Sequence, residues 1–169
     1  MATLERAIRI AVEAHTGQTD KSGEPYILHV FRVMLTVPDT EARIVAALHD
    51  VIEDSPVTEI DLQAAGFSEA ILGAVRCLTR RPGVRYVDYV IGLKCNPLAV
   101  RVKLADLTDN SRLDRNVIYP ARFDADRRRL AKYLVTYKFL TDQIDEATYR
   151  VLMADLEGPP VVGSPAEAP

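Results

Sequence analysis

The sequence predicts an all-α single domain over residues 1–156, followed by a disordered, proline-rich tail over 157–169. Three observations carry this fold class. Apolar residues recur three and four apart almost throughout the first 156 positions. Asp, Thr, Ser and Pro stand where those apolar stretches begin, as helix starts require. No stretch alternates apolar and polar residues strongly enough to form a half-buried strand, and no internal repeat is present.

Taken in order, Leu4, Ala7, Ile8, Ala11 and Val12 mark a first helix that ends near His15. The polar, glycine-containing loop TGQTDKSGE follows, and Pro25 is expected to open a second helix, PYILHVFRVML. Asp39 is placed to cap a third, TEARIVAALHDVIED, read as one continuous helix. Thr58 caps a short helix and Ser68 another, EAILGAVRCLT, with Glu69 in its first turn. After the turn RRPGVR, YVDYVIGLKC is helical up to Asn96-Pro97, and PLAVRVKLADLTDN follows. Beyond a connection near Tyr119-Pro120, two longer helices are expected, from about Asp124 to Leu140 and from about Asp142 to Leu156. Pro159, Pro160, Pro165 and Pro169 make the last segment a poor candidate for ordered structure.

Composition narrows the function. Of 169 residues, 48% are hydrophobic and 27% charged, which is ordinary for a soluble globular domain. A net charge of −3 lacks the basic excess of a general nucleic-acid binder. No run approaches the roughly 18 apolar residues of a membrane span, and the charged N-terminus is unlike a signal peptide. Cys77 and Cys95, in apolar helical patterns without a CxxC arrangement, read as reduced core thiols of a cytoplasmic protein.

The chemistry concentrates in three clusters. In ALHDVIEDSP, His49, Asp50, Glu53 and Asp54 form a polar strip on a helix whose other face is Ile44, Leu48, Val51 and Ile52. Acids at that spacing repel unless a cation or proton offsets them. The residues alone leave two readings open, a solvated acidic face and a metal site. In VKLADLTDNSR, Asp106 and Asn110 share a face, with Lys103 one turn before Asp106. In GEPYILHVFRV, His29 stands on an otherwise apolar helix; such a residue alone is more often a hydrogen-bonded core histidine than a ligand. Together His29, His49, Asp50 and Asp106 make a mixed nitrogen and oxygen donor set suited to a catalytic divalent ion.

The order His…His-Asp…Asp resembles the HD superfamily of metal-dependent phosphohydrolases. It is most similar to the hydrolase domain of RelA/SpoT-type proteins and to the stand-alone small alarmone hydrolases. The matching residues are AHTGQTDKSGEPYILH at 14–29, ALHDVIEDS at 47–55 and KLADLTDNSR at 103–112, within a likeness spanning roughly residues 4–140. The resemblance implies one Mn²⁺ held by His29, His49, Asp50 and Asp106. It makes Glu53 and Asp54 the catalytic acid pair that positions or deprotonates the attacking water. It implies substrate contacts from Lys21 and Ser22 in the first loop and from Asn110 and Arg112 after the last ligand, with His15 near the pocket but off the metal.

The activity so implied is hydrolysis of a nucleotide 3′-pyrophosphate, of the ppGpp or ppApp type used in the stringent response, with release of pyrophosphate. Alternatives are an HD phosphohydrolase acting on another nucleotide or phosphoester, and a non-catalytic nucleotide-sensing module of the same fold. The partner expected is a small nucleotide, with neither nucleic acid nor membrane; the oligomeric state is left open. The length leaves no room for the family's synthetase domain, so the chain is expected only to degrade the signal. Asp20 stands where the family has Arg packing on the base, which leaves guanine and adenine both open. Val30 replaces a usual Pro, and Asp109 a usual aromatic residue, both affecting pocket shape. The Arg127–Arg129 run reads as solvated surface, the Arg80–Arg85 turn stays undecided, and Tyr86, Tyr89, Tyr133 and Tyr137 read as packing residues.

Overall fold

The computed structural model describes residues 2–115 and 120–157, and among them every regular element is helical. The helices are α1 (Leu4–Ala14), α2 (Ile27–Thr36), α3 (Thr40–Leu48), α4 (Val51–Asp54), α5 (Glu59–Ala64), α6 (Glu69–Leu78), α7 (Tyr86–Leu93), α8 (Pro97–Asn110), α9 (Phe123–Leu140) and α10 (Glu146–Glu157). A 3-10 turn at Pro120–Arg122 leads into α9. The one strand-like feature among the described residues is an isolated bridge between Thr19 and Pro25.

Helix α3 is the axis of the fold. Ala42 and every residue from Ile44 to Leu48 are buried, so past its polar first turn the helix is apolar all round rather than amphipathic. It packs against α1, α2, α6 and α8. Capping starts it: the Asp39 carboxylate accepts from the Ala42 N–H at 2.8 Å. Helix α8 starts in the same way, with the Asn96 side chain accepting from Leu98 and Ala99 (3.1 and 3.0 Å) and Pro97 in the first turn. Ala99, Val102, Ala105 and Leu107 seat α8 in the core. The pair α9 and α10 closes one end through Phe139 stacked on Tyr149, with centroids 4.4 Å apart.

Thr58, Ser68 and Asp39 cap the helices that the sequence assigns to them, Thr58 in a full capping box with Asp61. Four expectations need correction. Helix α2 begins at Ile27, because Pro25 is held in the bridge to Thr19 that closes the preceding loop. The third helix is interrupted at His49-Asp50, where Asp50 takes φ −107°, ψ −2°, so α3 and α4 are separate. The last helix starts at Glu146, after Asp142 turns the chain at φ 58° and Asp145 accepts from the Thr148 N–H at 2.8 Å. Both cysteines are free, but Cys95 is exposed instead of buried, because it lies just past the end of α7. Glu157 belongs to α10; the rest of the expected tail, 158–169, and Tyr119 lie outside the described residues.

Candidate metal centre and adjoining clefts

His49 and Asp50 sit where the buried helix α3 stops, and the break aims both inward. The His49 Nδ1–H donates to the Ala46 carbonyl at 2.8 Å, which leaves Nε2 as the nitrogen with a lone pair. From α2, His29 is oriented in the same sense: its Nδ1–H donates to Asp109 Oδ2 at 2.7 Å. Both Nε2 atoms are buried and neither makes a hydrogen bond. They face carboxylate oxygens instead. His49 Nε2 is 2.9 Å from Asp50 Oδ2, and His29 Nε2 is 4.0 Å from that atom and 3.4 Å from Asp106 Oδ1. His49 Nε2 stands 3.9 Å from the same Asp106 oxygen.

One donor atom each from His29, His49 and Asp50 falls within 4.8 Å of the others, a spacing that fits a divalent ion. Two unpartnered imidazole nitrogens converging on carboxylates are the donor chemistry such an ion needs. Electrostatics agrees. Burial alone would lower the His29 pKa, but the carboxylates of Asp106 and Asp109 outweigh it and push it up to about 9. Burial likewise opposes a charged His49, yet Asp50 and Asp106 raise it. The acids respond inversely: despite burial, His49 and the Tyr26 hydroxyl bring Asp50 down to about 2, and Lys103 with the two histidines holds Asp106 far below the carboxylate range. The cluster as a whole favours positive charge at its centre.

A second set of residues holds the donors in place. Asp106 accepts from Lys103 Nζ at 2.8 Å and from Asn110 Nδ2 at 2.5 Å. The Tyr26 hydroxyl donates to Asp50 Oδ2. Asp109 is buried and, besides His29, accepts from Arg32 Nε at 2.8 Å and from Arg115 Nη1. In the sequence Asp109 stands out only as a change of pocket shape; the helical signal for its role is its position three residues after Asp106, on a neighbouring face. The Asp109→Asn variant is expected to lose metal affinity about 10- to 100-fold with a near-native circular dichroism spectrum, as metal titration calorimetry would read. Unchanged affinity would mean that Asp109 serves the fold alone.

Two clefts open over this cluster. One, of about 630 Å³, is lined by Asp50, Glu53, Asp106, Asn110 and Tyr26, with Lys21, Arg80, Arg85, Lys103, Arg129 and Lys132 supplying cationic walls. The other, of about 360 Å³, shares Lys21, Tyr26, Asn110, Arg129 and Tyr133 with the first and adds Thr19, Asp20, Ser22, His29 and Arg115. Glu53 reaches the larger cleft, where burial raises its pKa and the Arg80 N–H donates to Oε2 at 3.1 Å. Asp54 is raised by burial and by Asp50, but its carboxylate lies outside the lining of either cleft; Gln18 Nε2 binds its backbone carbonyl at 2.7 Å.

The structure therefore gathers His29, His49, Asp50, Asp106, Glu53, Lys21, Ser22 and Asn110 around one composite cleft. It does not bring Arg112 there: that side chain pairs with Asp114 at 2.6 Å, outside the lining. His15 is buried against Tyr26 (centroids 4.9 Å) and bonded to Gln18 at 2.8 Å, beside the metal cluster and not within it. The surface reading of the Arg127–Arg129 run needs revision at Arg129. Arg129 belongs to the cleft while Arg127 pairs with Asp124 on the surface, because helical positions two apart point about 200° apart, on opposite sides of the helix. Arg80 and Arg85 both line the larger cleft; Tyr86, Tyr89 and Tyr133 pack against the core as expected and also face that cleft, whereas Tyr137 is exposed.

No protein-family model matches the chain. Among curated proteins, it is 32% identical over 124 residues to the bifunctional (p)ppGpp synthase/hydrolase SpoT of Escherichia coli strain K12, covering 64% of this chain and 18% of that protein. It is 36% identical over 137 residues to the guanosine-3′,5′-bis(diphosphate) 3′-pyrophosphohydrolase of Haemophilus influenzae, covering 73% of this chain and 20% of the relative. The chain thus spans about a fifth of the length of these relatives. Among solved structures, a metazoan SpoT ortholog described as hydrolysing ppGpp superposes with a TM-score of 0.65 at 22% identity, over 92% of this chain and 94% of that one; at that identity the match speaks for the fold. With an all-helical fold, a His…His-Asp…Asp cluster drawn together from α2, the α3–α4 break and α8, and this likeness in sequence, the chain is an HD-type domain related to part of the SpoT-type ppGpp hydrolases.

Proposed function

We propose that this domain is a cytoplasmic, Mn²⁺-dependent phosphohydrolase that removes pyrophosphate from the 3′ position of an alarmone nucleotide of the ppGpp or ppApp type. The observation that carries the reading is the pair of buried, unpartnered Nε2 atoms of His29 and His49 facing Asp50 and Asp106 at the floor of a cation-walled cleft. His29, His49, Asp50 and Asp106 would hold the ion, which when bound acidifies water and stabilises charge on a reacting phosphate. The names of the relatives, which cite ppGpp, support the substrate class.

The chain's own residues would do the rest by position and charge, which is most of what phosphoryl transfer asks of a protein. Lys103, Arg80, Arg85 and Lys132 give the phosphates a cationic wall, with Lys21 and Arg129 at the junction of the two clefts. Asn110, fixed to Asp106, lies where the clefts meet and would orient the sugar. Glu53, its pKa raised by burial, would take a proton from the attacking water.

The test is pyrophosphate release from ppGpp and ppApp by Mn²⁺-loaded protein, with an EDTA control. Release that stops with EDTA and returns with added Mn²⁺ is the expected result. Metal binding without release from either nucleotide would instead mean another phosphoester substrate, or a sensor.

A further inference from the structure

The smaller cleft contains an acid, Asp20, that by charge alone would offer hydrogen-bond acceptors to a guest. The fold withdraws them. Asp20 Oδ1 accepts from the Ser22 N–H (2.8 Å), the Ser22 hydroxyl (2.6 Å) and the Glu24 N–H (3.1 Å). Its Oδ2 accepts from Arg115 Nη2 at 2.5 Å, and the side chain is 8% exposed. These bonds explain why its pKa is far below the carboxylate range although burial opposes it. They also tie the loop from Asp20 to Glu24 to a residue almost a hundred positions away, since |i−j| is 95.

Arg115 is clamped at its other end too. Its Nη1 donates to the Asp109 carbonyl at 3.1 Å and to Asp109 Oδ2. A guanidinium has five N–H groups and no acceptor; these contacts engage both on Nη1 and one on Nη2, so among the described residues the Nε–H and the second Nη2–H have no protein acceptor. Lys21 and Arg129, on the same walls, also only donate.

We infer that Arg115 is the specificity-determining residue of the smaller cleft: fixed between Asp20 and Asp109, it presents N–H donors to the base and so selects an edge made of acceptors. Guanine carries such an edge in O6 and N7, while adenine sets an N6 amino group against the guanidinium. Asp20 is then the anchor of Arg115 and not a base contact. The inference rests on the nucleotide reading above.

The test is calorimetric binding of GDP, ADP and inorganic pyrophosphate to the full chain and to Arg115→Ala and Asp20→Asn, with thermal melts to check folding. The wild type is expected to prefer GDP to ADP. Arg115→Ala should weaken GDP roughly 10-fold or more, erase the preference and weaken pyrophosphate binding much less than GDP binding, because Arg32 still holds Asp109. Asp20→Asn keeps an oxygen for the loop N–H groups but loses the charge that holds Arg115, so it should weaken GDP less and in the same direction. A GDP preference that survives Arg115→Ala, an equal loss of pyrophosphate binding, or a wild type with no preference would overturn the inference. The two readings fail separately. Pyrophosphate release from ppGpp with an unchanged KM in Arg115→Ala would sink the role of Arg115 alone. An Arg115-dependent GDP preference in a protein that releases no pyrophosphate would sink the hydrolase reading alone.

Discussion

Asp106→Ala is expected to abolish turnover and metal binding together and to lower folding stability by about 3–5 kcal/mol. The size of the effect comes from two roles carried by one carboxylate. Asp106 Oδ1 faces both buried imidazole nitrogens, at 3.4 and 3.9 Å, so its removal opens the proposed ligand set. Its Oδ2 neutralises Lys103, whose side chain is only 15% exposed and whose ammonium lies 2.8 Å away. Burial would push a proton off Lys103, but Asp106 outweighs it and keeps the pKa well above normal. Without the acid, a cation is left in a poorly solvated place, with the centroid of the Tyr89 ring 5.7 Å away. Urea unfolding of Asp106→Ala and of Asp106→Ala/Lys103→Met separates the two roles. The double variant should recover most of the stability and none of the metal binding. Equal instability in both would show that the ion pair is not the cause.

Glu53→Gln is expected to lower kcat by about 10²–10⁴-fold while metal affinity and stability stay at the wild-type level. Glutamine keeps an oxygen for the Arg80 N–H, so the contact between α4 and the Arg80 turn survives. What it loses is a carboxylate that can accept a proton in the cleft, in a setting that already raises its pKa towards working pH. Asp54→Asn should cost less, because that carboxylate lies outside the cleft lining and its segment is held through the backbone carbonyl by Gln18. A single-turnover assay with metal-loaded protein measures the first effect, and calorimetry checks that metal is still bound. Equal losses in the two variants would restore the pair as a joint acid–base unit; full activity in Glu53→Gln would remove Glu53 from the chemistry.

Much of this was legible in the amino-acid order, because it depends on residues close in sequence. Helical periodicity places Asp106 and Asn110 on one face, and Asp39, Thr58 and Ser68 cap helices through N–H groups three residues on. The all-apolar run before His49 marks the buried helix α3, and an imidazole next to a carboxylate at its end is a local signal that spacing can carry. The same locality misled at His49-Asp50. Periodicity continues through the pair, yet the chain breaks there, since Asp50 is held by Tyr26 and not by the helix that it seems to extend.

Tertiary structure decided everything that depends on which charge meets which. Asp20 and Asp109 read as misplaced acids until Arg115 and Arg32 arrive from other elements to neutralise them. Arg129, Tyr133, Tyr86 and Tyr89 become cleft walls only once the helices that carry them are packed around the cluster. The reason is physical: a helix start or an apolar face is set by bonds a few residues long, whereas the worth of a buried charge is set by partners that only the packed fold brings within a few ångströms.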